Sequence, residues 1–254
     1  MTTPAAPHPP GNSRGSGRHR VPGGWAAGIV AVAFTVAAHP LAAAGRVVTF
    51  RAADGRILTG VFMEADRRPA PAVILVPMLG RSKDDWQDLA QHLAEANISA
   101  FAMDLRALSL PADPQELPAW HEDILAAVAW LASRPAEVRP GFVGLAGASL
   151  GANLAAVAAA GDASVRSIAL ISPSIEYRGI RIDASLRQYG ARPALLMASL
   201  HDPYAARSVR ELAQDAPGPR EVRWSSVRAH GTSLLSGDPD LVRSLVEWFQ
   251  LTLE

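Results

Sequence analysis

Beyond residue 45 the chain alternates between short apolar runs and longer amphipathic stretches. Residues 46–53 and 56–65 each alternate apolar with polar positions around Asp54-Gly55, a dipeptide that favours a tight hairpin. Residues 72–77, Ala-Val-Ile-Leu-Val-Pro, are continuously apolar, the pattern of a strand buried on both faces. In 84–96, Trp86, Leu89, Leu93 and Ala96 recur at helical spacing, and 98–105 returns to strand. The spacing then predicts a long helix over 117–133, opened by Pro118, with Trp120, Ile124, Val128 and Leu131 on one stripe. Residues 141–147 form a glycine-bounded apolar strand, and 150–160 are strong helix formers that stop at Gly161. Strands follow at 165–172, 194–200 and 220–227, with helices at 204–214 and 239–252. A hairpin followed by alternating strands and helices predicts an α/β fold, a mostly parallel sheet of about eight strands covered on both faces. The Pro/Gly-rich breaks at 67–71, 134–141 and 216–219 read as loops, so 45–254 is expected to be one domain with a core of its own.

The first 44 residues follow another pattern. They carry Arg14, Arg18 and Arg20, no acidic residue, and many Pro, Gly and Ser. An uncharged run from Trp25 to Ala38 follows, and then Ala42-Ala43-Ala44. A basic start, an apolar middle and a small-residue end make an export signal, with cleavage expected after Ala44. The alternative is a retained anchor over 25–44, although His39-Pro40 interrupts the run. The expected destination is therefore secreted or periplasmic, with membrane attachment only if the leader stays. The chain balances 24 basic against 24 acidic residues, and losing the three leader arginines leaves a small acidic excess. Nothing in that balance points to nucleic acid. Cysteine is absent, which excludes disulfides, a thiol nucleophile and any thiolate metal site.

Gly147-Ala148-Ser149-Leu150-Gly151 joins a strand to a helix. A serine on such a turn projects its hydroxyl from the sheet, and the amides opening the helix face the same spot with the positive dipole end behind them. That suits a nucleophile that must generate and hold an oxyanion. A serine also needs a base, and the base an acid. Of seven histidines, His8, His19 and His39 lie in the leader, and His92 and His121 fall within helices. His201 directly precedes Asp202. His230 lies in a short loop after the 220–227 strand, at the sheet edge where Ser149 ends its own strand, and is the expected base. Asp202 follows the 194–200 strand at that edge and is the expected acid; Asp-Pro is also a helix-start signal, and both roles can hold together. Glu176 and Asp183 are the alternative acids. The expected oxyanion donors are the amides of Leu150 and Leu79, with Met78 next in line. Arg81, Ser82 and Lys83 read better as a solvated loop than as pocket lining.

Serine, aspartate and histidine in that order on a hairpin-led alternating chain resemble the α/β-hydrolase superfamily. Met78-Leu79-Gly80 with Trp86, Asp104-Leu105-Arg106, the Ser149 turn, Asp202 and His230-Gly231 all fall in the family's order, from about Arg46 to Leu253. Asp104-Leu105-Arg106 resembles the family's D-x-R, which is structural. Pro77-Met78 departs from the His-Gly that many members place before the oxyanion residue. Ser149 separates the chain from dienelactone hydrolases that use cysteine, although the layout is similar.

The resemblance implies a serine esterase, transferring an acyl group to water through a Ser149–His230–Asp202 triad and an acyl-enzyme, with no cofactor. The segment between the 165–172 and 194–200 strands is too short for a large lid, so an open site is expected, with Met78, Tyr177 and Tyr189 as candidate lining residues. Small or medium carboxylic esters fit such a site, and so does a polymeric ester. A serine peptidase, an acyltransferase or a non-catalytic binding protein of the same architecture are the alternatives. No metal site is expected: His121-Glu122-Asp123 are consecutive and diverge around a helix.

Overall fold

The computed structural model describes residues 45–111, 113–214 and 217–254. The expected export signal of residues 1–44 and the alternative anchor of 25–44 lie outside the described residues, as do the histidines there. The chain opens with β1 (Arg46–Arg51) and β2 (Ile57–Met63), an antiparallel hairpin turned at Gly55 with φ +86°. Then come β3 (Ala70–Val76), α1 (Gln87–Glu95), β4 (Ser99–Met103), α2 (His121–Ala132), β5 (Val138–Ala148) and α3 (Leu150–Gly161). The remainder is β6 (Val165–Ile171), the short strands β7 (Glu176–Tyr177) and β8 (Ile180–Arg181), α4 (Asp183–Tyr189), β9 (Ala194–Ser199), α5 (Pro203–Gln214), β10 (Arg220–Ser225), α6 (Thr232–Gly237) and α7 (Pro239–Thr252).

Eight strands form one sheet in the order β1-β2-β4-β3-β5-β6-β9-β10. Only the two pairings of β2 are antiparallel; every other neighbour runs parallel. Helices α2 to α5 bury their apolar sides against one face, while α1, α6 and α7 cover the other. Because both faces are covered, the central strands carry apolar side chains at successive positions and cannot alternate. Val73, Ile74, Leu75 and Val76 of β3 are all buried, as are Ile168, Ala169, Leu170 and Ile171 of β6. A parallel sheet places the carboxyl ends of β3, β5, β6, β9 and β10 along one edge, and the loops that leave them gather there.

Several boundaries differ from the sequence expectation. The long helix over 117–133 divides into a 3-10 segment, Pro114–Trp120, and α2. Pro118 has no amide to give an α-helical ladder, so the chain winds tightly through it, and His121 Nδ1 lies 2.7 Å from the Pro118 carbonyl oxygen. Helix α1 is likewise preceded by a 3-10 turn, Lys83–Trp86. The 134–141 loop is shorter than expected, because β5 begins at Val138 and shifts register before Val143, with Gly141 at φ +79°. The excursion between β6 and β9 holds only the β7–β8 hairpin and the seven-residue α4, so no large lid covers the sheet edge. No helix among the described residues is long and apolar enough to cross a membrane.

Candidate active site

Ser149 sits between β5 and α3 with φ 52° and ψ −117°, a backbone conformation that side chains disfavour by about 1–3 kcal/mol. The fold imposes it from both ends. The Ser149 amide donates to Ile171 O at 2.9 Å, and the Ser149 carbonyl accepts from the amides of Ala152 and Asn153. The glycines on either side make the turn possible. A Cβ on Gly147 would lie 2.2 Å from Gly151 O, and one on Gly151 would lie 2.4 Å from Pro77 O. Strand to helix, and helix to the end of β3, can approach that closely only where Cβ atoms are missing.

His230 leaves the loop after β10 and reaches Ser149, with Nε2 2.8 Å from Oγ. Its Nδ1 lies 2.5 Å from Asp202 Oδ2. A carboxylate only accepts, so Nδ1 carries the hydrogen and Nε2 is left to accept from the serine hydroxyl. The other oxygen of Asp202 accepts from the Ala205 amide at 3.1 Å and caps α5. One carboxylate thus fills both roles suggested by Asp-Pro, and the cap fixes the orientation of the oxygen that meets the imidazole. The arrangement can pass the serine proton to the ring and stabilise the resulting cation. The His230 side chain is 43% exposed, so the site opens to solvent.

Buried hydroxyls hold the His230 loop in place. Ser172 Oγ accepts from the Gly231 amide at 3.1 Å. Ser199 Oγ donates to Val227 O and accepts from the His201 amide, which ties the Asp202 and His230 loops together. Ser225 Oγ accepts from the Val227 amide and donates to Asp238. Asn153, one turn past the serine, donates to the carbonyls of Ser174 and Ile180 and accepts from the Ser174 amide, pinning the β7–β8 excursion. Sequence reasoning missed these residues. The signal for Ser172 and Ser199 was a small polar residue closing an apolar strand; Ser225 ends the mostly polar β10 and carries no such mark.

The turn after β3 runs from Met78 to Arg81, closed by the Arg81 amide on Met78 O at 3.2 Å, with Gly80 at φ +77°. This leaves the Leu79 amide without a backbone acceptor among the described residues. Leu150 is the first residue of α3, where an amide has no acceptor within the helix. The contact between Gly151 and Pro77 brings the turn and the helix start together. Met78 lies beside the His230 loop, its Sδ 3.6 Å from Thr232 Oγ1, and Tyr177 is half-buried on β7. Tyr189 is buried, its hydroxyl donating to Pro193 O, and so cannot line an open site.

The remaining expectations fall elsewhere. Glu176 accepts from the Gly179 amide within the β7–β8 turn, and Asp183 pairs with Arg181 and Arg187; neither is bonded to His230. Arg81 is exposed and Ser82 and Lys83 partly so, in keeping with a solvated loop, but each is bonded. Arg81 forms a two-pronged pair with Asp85, Ser82 caps the 3-10 turn, and Lys83 binds Asp104. In the D-x-R segment Asp104 also accepts from Thr59, and Arg106 pairs with the buried Asp123. His92 and His201 are exposed. Among the described residues no group of three or more His, Asp or Glu could hold a metal. A groove of about 630 Å³ runs between α1 and α7, floored by Leu89, Leu235, Val242 and Val246, and Ser149 does not line it.

No curated protein matches the chain in sequence. Solved structures do resemble it. DcsB, determined with its substrate analogue, is 16% identical with a TM-score of 0.73, over 83% of this chain and 99% of that one. A Pyrococcus furiosus esterase is 15% identical with a TM-score of 0.71, over 83% and 93%. A dienelactone hydrolase from Anabaena variabilis is 17% identical with a TM-score of 0.67, over 83% and 99%. At such identities the likeness is one of fold. A sequence model described as the alpha/beta hydrolase fold matches residues 80–237, more than half the chain. That span runs from the turn after β3 through Ser149, Asp202 and His230, and this protein belongs to the alpha/beta hydrolase fold family.

Proposed function

We propose that this protein is a serine esterase. Ser149 Oγ attacks the ester carbonyl carbon while His230 Nε2 takes its proton. Asp202 holds Nδ1–H and balances the imidazolium. The amides of Leu79 and Leu150 receive the oxyanion, each worth roughly 3–4 kcal/mol in such a position. The tetrahedral adduct collapses, and the alcohol leaves with the proton held by His230. A water then gives a proton to His230 as it attacks the acyl-serine carbonyl; the second adduct collapses, His230 returns that proton to Ser149 Oγ, and the carboxylic acid leaves. No cofactor takes part.

The observation that carries this reading is the unbroken line of hydrogen bonds from Ser149 through His230 to Asp202, on a serine held at positive φ. The esterase among the similar structures supports ester substrates, and the absence of a large lid between β6 and β9 supports small or medium esters or an exposed polymer. Met78 and Tyr177 border that opening. The leader reading adds export to the secretory or periplasmic space, where an N-terminus near Gly45 by mass spectrometry is the expected mature form.

A fluorophosphonate probe with peptide mapping tests the assignment. Labelling at Ser149, and loss of short p-nitrophenyl ester hydrolysis in Ser149→Ala at an unchanged melting temperature, are expected. Retained turnover in Ser149→Ala rejects the nucleophile. A matched panel of esters and amides separates an esterase from a peptidase on the same residues.

A further inference from the structure

The turn that carries Leu79 and the loop that carries His230 leave different strands, and one side chain joins them. Asp85 lies in the 3-10 turn just beyond Arg81. Its Oδ2 accepts from Arg81 Nε and from Thr232 Oγ1, each at 2.7 Å, and its Oδ1 accepts from Arg81 Nη2 at 2.7 Å. Arg81 closes the Met78–Arg81 turn with its own amide. Thr232 stands two residues from His230 and is 2% exposed. Between them Gly231 has φ +59°, and a Cβ there would lie 2.6 Å from Met78 Sδ, so turn and loop interlock closely. The hydrogen bond from the Arg81 guanidinium, against the opposing effect of burial and with help from the Thr232 hydroxyl, holds the Asp85 carboxyl below its ordinary range and ionised.

We propose that Asp85 is a positioning residue that clamps the oxyanion turn to the His230 loop and so sets the separation between the Leu79 amide and the imidazole. The proposal rests on the reading of Ser149, His230 and Asp202 given above. The hydroxyls of Ser172, Ser199 and Ser225 tie the His230 loop to the sheet or to Asp238, and none reaches the turn. The Met78 thioether is too weak an acceptor to hold Thr232 alone. A bidentate guanidinium–carboxylate pair sharing an oxygen with a buried hydroxyl is a stiff link. Stiffness matters because donor and base must meet one developing adduct, and a misplacement of about 1 Å can cost ~100-fold in rate.

The test uses the full chain and a short p-nitrophenyl ester, with Thr232→Val, Thr232→Ser and Asp85→Asn. Thr232→Val is nearly isosteric and removes only the hydroxyl; its kcat is expected to fall ~10- to 100-fold with KM within about two-fold. Thr232→Ser, which keeps the hydroxyl, is expected to restore turnover to within about three-fold of the parent, the signature of a bond and not of packing. Asp85→Asn keeps an acceptor for Thr232 but loses the charged pair, and its kcat is expected between those two. Parent turnover in Thr232→Val, equal losses in the valine and serine variants, or a change in KM alone overturns the clamp. Should Asp85→Asn fail to fold, the Thr232 pair decides. Ser149→Ala in the same assay keeps the two failures apart: turnover there rejects the reading of the site, whereas its loss beside an intact Thr232→Val rejects the clamp alone.

Discussion

Two aspartates near the same sheet edge, Asp123 and Asp202, each hold a nitrogen-bearing side chain from another loop, yet only one pair reaches Ser149. Asp123, on α2, is fully buried and gives both oxygens to Arg106, with Arg106 Nε at 2.8 Å from Oδ2. Asp202 divides its oxygens, one capping α5 and one meeting His230 Nδ1. A guanidinium presents donors on every side and stays charged, so Arg106 can only brace, holding the end of β4 to α2 and, through Asp54 at 3.2 Å, to the β1–β2 turn. An imidazole has two distinct nitrogens near neutrality of charge, so one can face a carboxylate while the other exchanges a proton with a hydroxyl. The same acid at the same edge becomes a strut or, in the function proposed above, the group that orients the base, according to the partner the topology supplies.

That contrast predicts a double dissociation. Asp202→Asn retains a side-chain oxygen for the α5 cap, so its melting temperature should move little. Its amide cannot hold the required tautomer, and kcat should fall about 10⁴-fold, or roughly 5.5 kcal/mol in the barrier. Asp123→Asn should do the reverse. Arg106 would keep only its more exposed partner Asp54, at 3.2 Å, and losing the buried carboxylate should lower stability by roughly 1–3 kcal/mol, read by chemical denaturation, while turnover per folded molecule persists. Equal effects of the two substitutions on both readouts would erase the distinction.

The sequence made the sheet legible because a parallel sheet covered on both faces demands continuous apolar runs, and β3, β5, β6 and β9 supply them. The convergence of Ser149, Asp202 and His230 was legible from where their strands end, a topological argument that needs no distances. What escaped was shorter in range or longer in reach. The 3-10 turns at Lys83–Trp86 and Pro114–Trp120 share their apolar spacing with the α-helices they precede, so periodicity joined them. The β7–β8 hairpin, α4 and α6 are too short to show a period. Asp85 and Thr232 stand 147 positions apart, and nothing local marks either as the other's partner.

Asp104 extends the comparison to pH. Burial raises its carboxyl, but hydrogen bonds from the Lys83 amide, Thr59 and the Lys83 ammonium outweigh it and leave the group below its ordinary value. A carboxyl lowered by folding stabilises the fold above its unfolded pKa of about 4 and loses that contribution as pH falls through the folded value. Asp104→Asn should therefore lower the melting temperature at neutral pH and flatten its decline on acidification. An acid limb parallel to the parent's would remove Asp104 from the acid response.

The smallest effect belongs to Glu176, a third carboxylate at this edge. Its side chain accepts from the Gly179 amide at 2.6 Å inside the β7–β8 turn, and Tyr204 reaches only its backbone carbonyl. Glu176→Gln keeps an acceptor for that amide, so both turnover and melting temperature should stay within experimental scatter of the parent. The outcome matters because residue order along the chain leaves Glu176 as eligible as Asp202 to orient His230, and only the placement of the two carboxylates separates them. A collapse of kcat in Glu176→Gln, with Asp202→Asn left active, would move the relay to the other carboxylate and reduce Asp202 to a helix cap.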